Sequence, residues 1–266
     1  MRAEHPPDAQ QRGAIGNFAF QAFSLNRLVT RHRSSCRGLF ITGTGTSVGK
    51  TYVTRLIARS LVAAGSRVAV YKPVASGCRE QDGGLVCDDA VALWEAAGRP
   101  GDLEHVCPQR FAAPLAPHLA AAAEQKAVDA RLLRAGIDFW IAQSEIVLVE
   151  GAGGLMSPVT DDEYVADLVL DFGFPLIVVT PNVLGTIHQT LSTLIAAATF
   201  RDGLNVAGVV LNHPSSDRDA STDTNHGELA RRCVPPVLGE VAWQAERIEP
   251  EIDWWKLAKI GEGVAD

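Results

Sequence analysis

An α/β domain, with a mostly parallel central sheet covered by helices on both faces, is predicted by two observations. From Leu39 onward, short β-branched runs alternate with longer segments of helical period. A glycine-rich stretch, Gly43 to Thr51, lies between the first run and the first helical segment. The predicted strands are Leu39 to Thr42, Arg67 to Lys72, Ile146 to Glu150, Leu176 to Thr180, Val206 to Asn212 and Val237 to Val241. Apolar residues at helical spacing mark one helix through Val53, Leu56, Ile57 and Leu61, and another through Leu191, Leu194, Ile195 and Ala198. The Ser/Asp-rich stretch Pro214 to Asn225 reads as a solvated loop.

Taken in order, the chain opens on an arm, residues 1–37, with six arginines against Glu4 and Asp8 and no clear periodicity. An organellar presequence and a disordered tail both fit that composition, and the tail is the plainer reading. The first strand then runs into Gly43-Thr-Gly-Thr-Ser-Val-Gly-Lys-Thr51, followed by an amphipathic helix. Glycines let backbone N–H groups close around phosphate oxygens, and the helix N-terminus adds positive potential. Lys50 is suited to the β and γ phosphates of ATP, and the Thr51 hydroxyl to magnesium. Gly43 stands one residue earlier than the strict G-x-x-x-x-G-K-[ST] spacing, so the loop is a variant of a P-loop NTPase-like fold.

The second strand ends in Tyr71-Lys-Pro-Val-Ala-Ser-Gly77, which brings Lys72 to the crevice at the carboxyl edge of the sheet. Positive charge there stabilises a transferring phosphoryl group. Asp88-Asp89 opens a helix ending near Ala97, where acids complement the helix dipole. Ile146-Val-Leu-Val-Glu150 is an apolar strand ending in an acid and a glycine run, Gly151-Ala-Gly-Gly154; Glu150 would face the phosphates and hold magnesium directly or through water.

At 266 residues and 47% hydrophobic, the chain has core enough for one large domain. A net charge of −7 argues against general affinity for nucleic acid, which needs dense Lys/Arg patches. The five cysteines are odd in number, scattered and never spaced C-x-x-C, so neither a disulfide framework nor a zinc site is predicted. They fit a reducing compartment, the cytoplasm. No apolar run reaches the length of a membrane span, and the patch Phe18 to Leu25 is broken by Gln21 and Ser24. The expected division is the disordered arm over 1–37, an ATP-binding domain over 38–245, and a C-terminal helix or tail over 246–266 packed on it. Residues 252–260, with Trp254, Trp255, Lys256 and Lys259, could pass for a membrane-surface helix, but core packing is the reading kept.

Thr42-Gly-Thr-Gly-Thr-Ser-Val-Gly-Lys-Thr51, Tyr71-Lys-Pro-Val-Ala-Ser-Gly77, Val149-Glu-Gly-Ala-Gly-Gly154, Leu184-Gly185 and Pro236-Val-Leu-Gly-Glu240 together resemble the dethiobiotin synthetase family, in order and at fitting separations. The likeness covers about residues 38–243, and its specific part is Lys-Pro-Val-Ala-Ser-Gly together with Glu-Gly-Ala-Gly-Gly. It implies ATP-dependent closure of a ureido ring: 7,8-diaminononanoate, carbon dioxide and ATP give dethiobiotin, ADP and phosphate through an N-carbamate and a carbamic–phosphoric anhydride. The resemblance implies catalytic roles for Lys50, Lys72, Thr46 and Ser76. It implies nucleotide contacts from Gly45, Thr46, Ser47, Val48, Gly49, Lys50, Thr51, Asn212, Pro236 and Glu240, with Asn212 reading adenine. Magnesium falls to Thr51, Asp89 and Glu150. Substrate contacts fall to Lys72, Ser76, Gly151, Ala152, Gly153, Gly154, Gly185 and Thr186, the last two from a neighbouring subunit, which implies a homodimer. Two departures, Gly45 where many members carry aspartate and Ser47 where some carry an acid, bear on the local partners of Lys50 and the metal. His118 and His188 receive no catalytic role.

Three rival readings are weaker. A partition or cell-division ATPase switch carries a second lysine early in the loop, and Thr44-Gly45-Thr46 has none. A cobyrinate-type amide-forming ligase needs room for a glutaminase domain that this chain lacks. A nucleotide-binding relic is argued against by Lys50, Thr51 and Glu150.

Overall fold

The computed structural model describes residues 36–260. The expected arm lies outside the described residues except for Cys36 and Arg37, and Arg37 already opens the first strand. In chain order the first elements are β1 (Arg37–Gly43), α1 (Lys50–Ala63), β2 (Val68–Tyr71), β3 (Val74–Ala75), β4 (Arg79–Gln81), β5 (Gly84–Val86), α2 (Asp88–Ala96), α3 (Leu103–Val106), β6 (Gln109–Arg110), α4 (Pro117–Ala123) and α5 (Ala130–Ile141). There follow β7 (Ile146–Gly154), α6 (Val165–Phe172), β8 (Leu176–Pro181), α7 (Thr186–Thr199), β9 (Val206–Asn212), α8 (Ala220–Arg232), β10 (Val237–Val241), α9 (Trp254–Leu257) and β11 (Lys259–Ile260).

Six parallel strands form the sheet in the order β10-β9-β8-β1-β7-β2, with β11 added antiparallel to the start of β1. β1 is central: β7 pairs with it on one side and β8 on the other. The chain therefore leaves β1 for the β2 edge, returns through β7, and crosses β1 to build β8, β9 and β10 outward. The two halves wind in opposite directions from β1, and a crevice opens at the carboxyl ends of the strands beside it. All of β1 after Arg37 is buried, as a strand covered on both faces must be.

Helix α1 buries Val53, Leu56, Ile57, Ala58 and Leu61 along one stripe. In α5, Leu133, Ile137 and Trp140 do the same, behind an Asp129 cap whose carboxylate accepts the N–H groups of Arg131 and Leu132. The buried face of α7 differs from the expected one. Its core side is Thr186, Thr190, Leu194 and Ala197, while Ile195 is 63% exposed and Ala198 also faces out. The cause is a buried hydroxyl cluster: Thr180 Oγ1 lies 2.7 Å from Thr186 Oγ1 and 2.9 Å from Thr190 Oγ1. Paired hydroxyls remove the penalty that would otherwise turn those threonines outward.

The expected loop 214–225 is cut short at Ala220, where α8 begins. Asp219 accepts the N–H groups of Ser221 and Thr222, and the Thr222 hydroxyl sits 2.9 Å from the Asp219 N–H. The Ser/Asp richness that reads as a loop is here a reciprocal cap. At the C-terminal end Trp254 is buried, the Arg37 guanidinium lies over the Trp255 ring at 5.2 Å, and it donates to the Ala258 carbonyl at 2.7 Å. Trp254 thus packs into the core, while Trp255 stays 38% exposed beneath the Arg37 guanidinium. Among the described residues no helix is long and apolar enough to cross a membrane.

Candidate active site

The glycine-rich loop runs from the end of β1 to the start of α1. Gly49 caps the helix at φ 98°, and a Cβ there would fall 2.2 Å from Asn212 Nδ2, so glycine is required both for the left-handed turn and for the close approach of β9. Asn212 is buried and its Nδ2 donates to the Val48 carbonyl at 3.1 Å, tying the loop to the carboxyl end of β9. The Lys50 ammonium donates across the loop to the Gly45 carbonyl at 2.8 Å. Burial pushes Lys50 down to about 8; nearby Lys72 adds to this, while Glu150 and Asp89 oppose it.

Glu150 is fully buried and joins the elements of the site. Its Oε1 accepts from the Thr51 hydroxyl at 2.8 Å and pairs with Lys72 Nζ at 2.6 Å, and its Oε2 accepts from the Thr54 hydroxyl at 2.9 Å. Lys72 also meets Asp89 at 3.3 Å, the half-exposed acid of the first turn of α2. Burial opposes the charge on Lys72, but Glu150 and Asp89 more than offset it and hold its pKa above the ordinary lysine value.

A cleft of about 340 Å³ is lined by Thr46, Ser47, Gly49, Lys50, Thr51, Lys72, Ala75, Ser76, Asp89, Gly151, Ala152 and Gly153. A larger depression of about 640 Å³ lies at the β4–β5 hairpin. Its walls come from hairpin residues together with Pro108 and Arg110, whereas the glycine loop and both buried lysines line the smaller cleft. Gly154 sits just behind that cleft, pairing in register with Gly43 and donating its N–H to Ser157 Oγ at 2.8 Å.

Other expected residues lie apart from the cleft. Pro236 is exposed and its carbonyl accepts the Val209 N–H at 2.9 Å, a strand-pairing contact. Glu240 is engaged by two histidines, with His213 Nε2 at 2.9 Å and His226 Nδ1 in close contact. Gly185, at φ 95°, caps α7, and the fully buried Thr186 hydroxyl is spent on Thr180. Thr54 is a site residue that sequence reasoning misses. It falls on the apolar face of α1 between Val53 and Leu56, and only the position of Glu150 distinguishes it from a packed threonine.

The donor set suits a hard cation: the Thr51 hydroxyl and the Asp89 carboxylate line the cleft, and the buried Glu150 carboxylate stands directly behind Thr51, so all three groups offer oxygen. Among the described residues no group of three or more His, Cys, Asp or Glu side chains is arranged to hold a metal by itself. Magnesium beside phosphates makes no such demand, because it keeps several waters and takes one or two carboxylates.

A glycine loop leading from the central strand of a parallel sheet into a helix that opens on Lys-Thr, with an acid at the end of the neighbouring strand, defines the P-loop nucleotide-binding class. A family model described as an AAA domain matches residues 37–251. ATP-dependent dethiobiotin synthetase BioD of Rhodopirellula baltica is 43% identical over 213 residues, 76% of this chain and 82% of that protein. ATP-dependent dethiobiotin synthetase BioD 1 of Escherichia coli K12 is 38% identical over 212 residues, 79% of this chain and 92% of that protein. Among solved structures, a ParA family ATPase from Chlorobium tepidum TLS aligns with a TM-score of 0.50 at 14% identity, over 79% of this chain and 86% of that one, a likeness of fold alone. The chain belongs to the ATP-dependent dethiobiotin synthetase family.

Proposed function

We propose that this protein converts 7,8-diaminononanoate, carbon dioxide and ATP to dethiobiotin, ADP and phosphate. The observation that carries the reading is a pair of buried lysines, Lys50 and Lys72, converging on one cleft with the glycine loop, in a chain of the synthetase family. One amine of the substrate takes up carbon dioxide as a carbamate. A carbamate oxygen then attacks the γ-phosphorus while the bond to ADP breaks, leaving a carbamic–phosphoric anhydride. The second amine attacks the anhydride carbon, phosphate leaves, and the ureido ring closes.

This chemistry brings an anionic carbamate against an anionic phosphoryl group, so fixed positive charge decides the rate. Lys50, Thr46 and the backbone of Gly45 to Thr51 are assigned to the phosphates. Lys72 and Ser76, on the β2 side, are assigned to the carbamate, with Gly151 to Gly154 forming the substrate floor. Lys72 stays protonated here because its two carboxylate partners outweigh burial, which supports a role as a fixed charge rather than a base. Thr51, Asp89 and Glu150 would hold magnesium, and the bound ion supplies further positive charge to the phosphates. The Asn212 carboxamide is assigned to the adenine side, with one donor already spent on Val48.

The proposed assembly is a homodimer in which the start of α7 from the partner receives the substrate carboxylate. Leu184, 82% exposed, and Ile195 leave apolar surface at and along α7, which supports a covered face. Five free thiols support a reducing compartment such as the cytoplasm. The deciding experiment incubates the protein with 7,8-diaminononanoate, bicarbonate, ATP and magnesium and detects dethiobiotin by mass together with released phosphate. ATP hydrolysis that ignores the diamine, with no product mass, would overturn the reading.

A further inference from the structure

Three cysteines the proposed chemistry does not use, Cys78, Cys87 and Cys107, are buried beside the cleft. The Cys87 sulfur is a near neighbour of both other thiols. It also caps α2 by accepting the Ala90 N–H at 3.4 Å. No metal-binding group of three or more such side chains occurs among the described residues, so the cluster is not a soft-metal site.

The hairpin fixes which two thiols can join. β4 and β5 pair Gln81 with Gly84, Glu80 with Leu85 and Arg79 with Val86, so the next opposed pair is Cys78 and Cys87. Asp82 at φ 51° and Gly83 at φ 80° make the two-residue turn, whose flanking pair, Gln81 and Gly84, is the hydrogen-bonded kind. Alternation then makes Cys78–Cys87 a non-hydrogen-bonded pair, and Cys78 N–H indeed donates elsewhere, to the Phe111 carbonyl at 3.0 Å. Such pairs bring Cα atoms to about 4.5 Å, inside the range of about 4.4–6.8 Å that a disulfide spans. Cys107 lies on a separate segment with its thiol directed to the Gln109 carbonyl, and no ladder register opposes it to Cys87.

We propose that Cys78 and Cys87 are a reversible thiol-oxidation site, closing a disulfide across the neck of the β4–β5 hairpin. The oxidant is a hydroperoxide. One sulfur attacks a peroxide oxygen, an S–O bond forms as the O–O bond breaks, and the departing oxygen leaves as water with the thiol proton. The second sulfur then attacks the first, an S–S bond forms as the S–O bond breaks, and a second water leaves. Two thiols and one hydrogen peroxide give one disulfide and two waters; the sulfurs lose the two electrons that reduce the peroxide.

The place of the neck gives the bond a consequence. Ser76 lies two residues before Cys78 and Asp89 two residues after Cys87, so both strands of the neck run straight into the cleft wall. The hairpin forms its own two-stranded sheet, separate from the six parallel strands, and can open without disturbing them. Covalent closure draws the Cys87 sulfur away from the Ala90 N–H and moves the start of α2 with Asp89. A displacement on the ångström scale of a group that positions reacting partners lowers turnover by about 10- to 100-fold. The consequence for turnover rests on the proposed function; the disulfide does not.

The test treats the full chain with hydrogen peroxide, alkylates remaining thiols, and maps a non-reduced tryptic digest by mass. Cleavage after Arg79 separates the two cysteines, so the expected product is peptide 68–79 joined to peptide 80–110, with Cys107 alkylated and fragmentation placing the link at Cys87, undone by dithiothreitol. Oxidised protein should lose dethiobiotin formation by about 10-fold or more and recover it on reduction. Cys78→Ser and Cys87→Ser, the latter keeping a good cap residue, should each remove the peroxide sensitivity, while Cys233→Ser should keep it. Full alkylation of all five thiols, a Cys87–Cys107 link, or unaltered sensitivity in Cys78→Ser would each overturn the proposal. A crosslink at Cys78–Cys87 in a protein that makes no dethiobiotin would support the site and count only against the proposed reaction.

Discussion

Glu150 binds three side chains through two oxygens, and the balance of charge around it sets the character of the site. Its legibility in the sequence was chemical: an acid ending an apolar strand of a parallel sheet must emerge at the crevice edge. Lys72 was legible for the same reason at the end of β2. What neither position revealed is that the two are directly paired at 2.6 Å with both side chains buried. Removing one partner of such a pair strands the other charge, at a cost of about 3–5 kcal/mol. Glu150→Gln should therefore lower the thermal midpoint on the order of 10 °C for a domain of this size. Adding Lys72→Met to that variant should restore more than half of the loss, since the stranded ammonium is gone. A Glu150→Gln protein that melts with the parent would show that Asp89 and the neighbouring hydroxyls alone satisfy Lys72.

Among the elements, α7 shows how a helix can be found correctly and oriented wrongly. Leu191, Leu194 and Ile195 mark its period, yet the face it buries includes Thr186 and Thr190, because Thr180 on β8 supplies their hydrogen bonds. This changes how the carboxylate assignment is best probed. A bulky acid at Thr186 would break the buried hydroxyl cluster and confound folding with binding. Gly185 is the cleaner position: a Cβ there meets nothing within 4 Å, and aspartate tolerates the left-handed conformation better than most residues. Gly185→Asp places a negative charge at the helix N-terminus and should raise the KM for the diamino acid about tenfold, with kcat and the KM for ATP near parental values. A steady-state comparison of both KM values checks this. An unchanged KM for the diamino acid removes α7 from the carboxylate site.

At the scale of the whole molecule, the two-fold geometry makes a quantitative demand. If each site takes its nucleotide half from one chain and its α7 start from the other, Lys50→Ala and Gly185→Asp each impair both sites of their own homodimer. In a mixed dimer one site collects both defects and the other collects neither. Random exchange makes half of the dimers mixed, so activity measured below the KM of Gly185→Asp should return to about a quarter of the parental value. Native mass measurement confirms the exchange. Activity no higher than the averaged homodimers, with exchange complete, would place the whole carboxylate site within one chain.

The sequence by itself determined the sheet and the phosphate loop, because both are written locally. β-branched runs buried on two faces, a glycine loop before an amphipathic helix, and polar residues at strand ends can each be recognised within ten residues. The hairpin of β4 and β5 was also written locally, in Asp82-Gly83, but its strands are too short and too polar to stand out beside the long apolar ones. Tertiary structure alone decided the partners. Thr54 became a ligand of Glu150, Asn212 a clamp on Val48, Glu240 a partner of His213 and His226, and Cys78 a neighbour of Cys87. Each of these depends on which strand lies beside which and on where an exposed-looking polar group finds its complement. A buried polar group must be satisfied, but the residue that satisfies it can come from any segment the fold brings near, and that choice is made only when the strands are ordered.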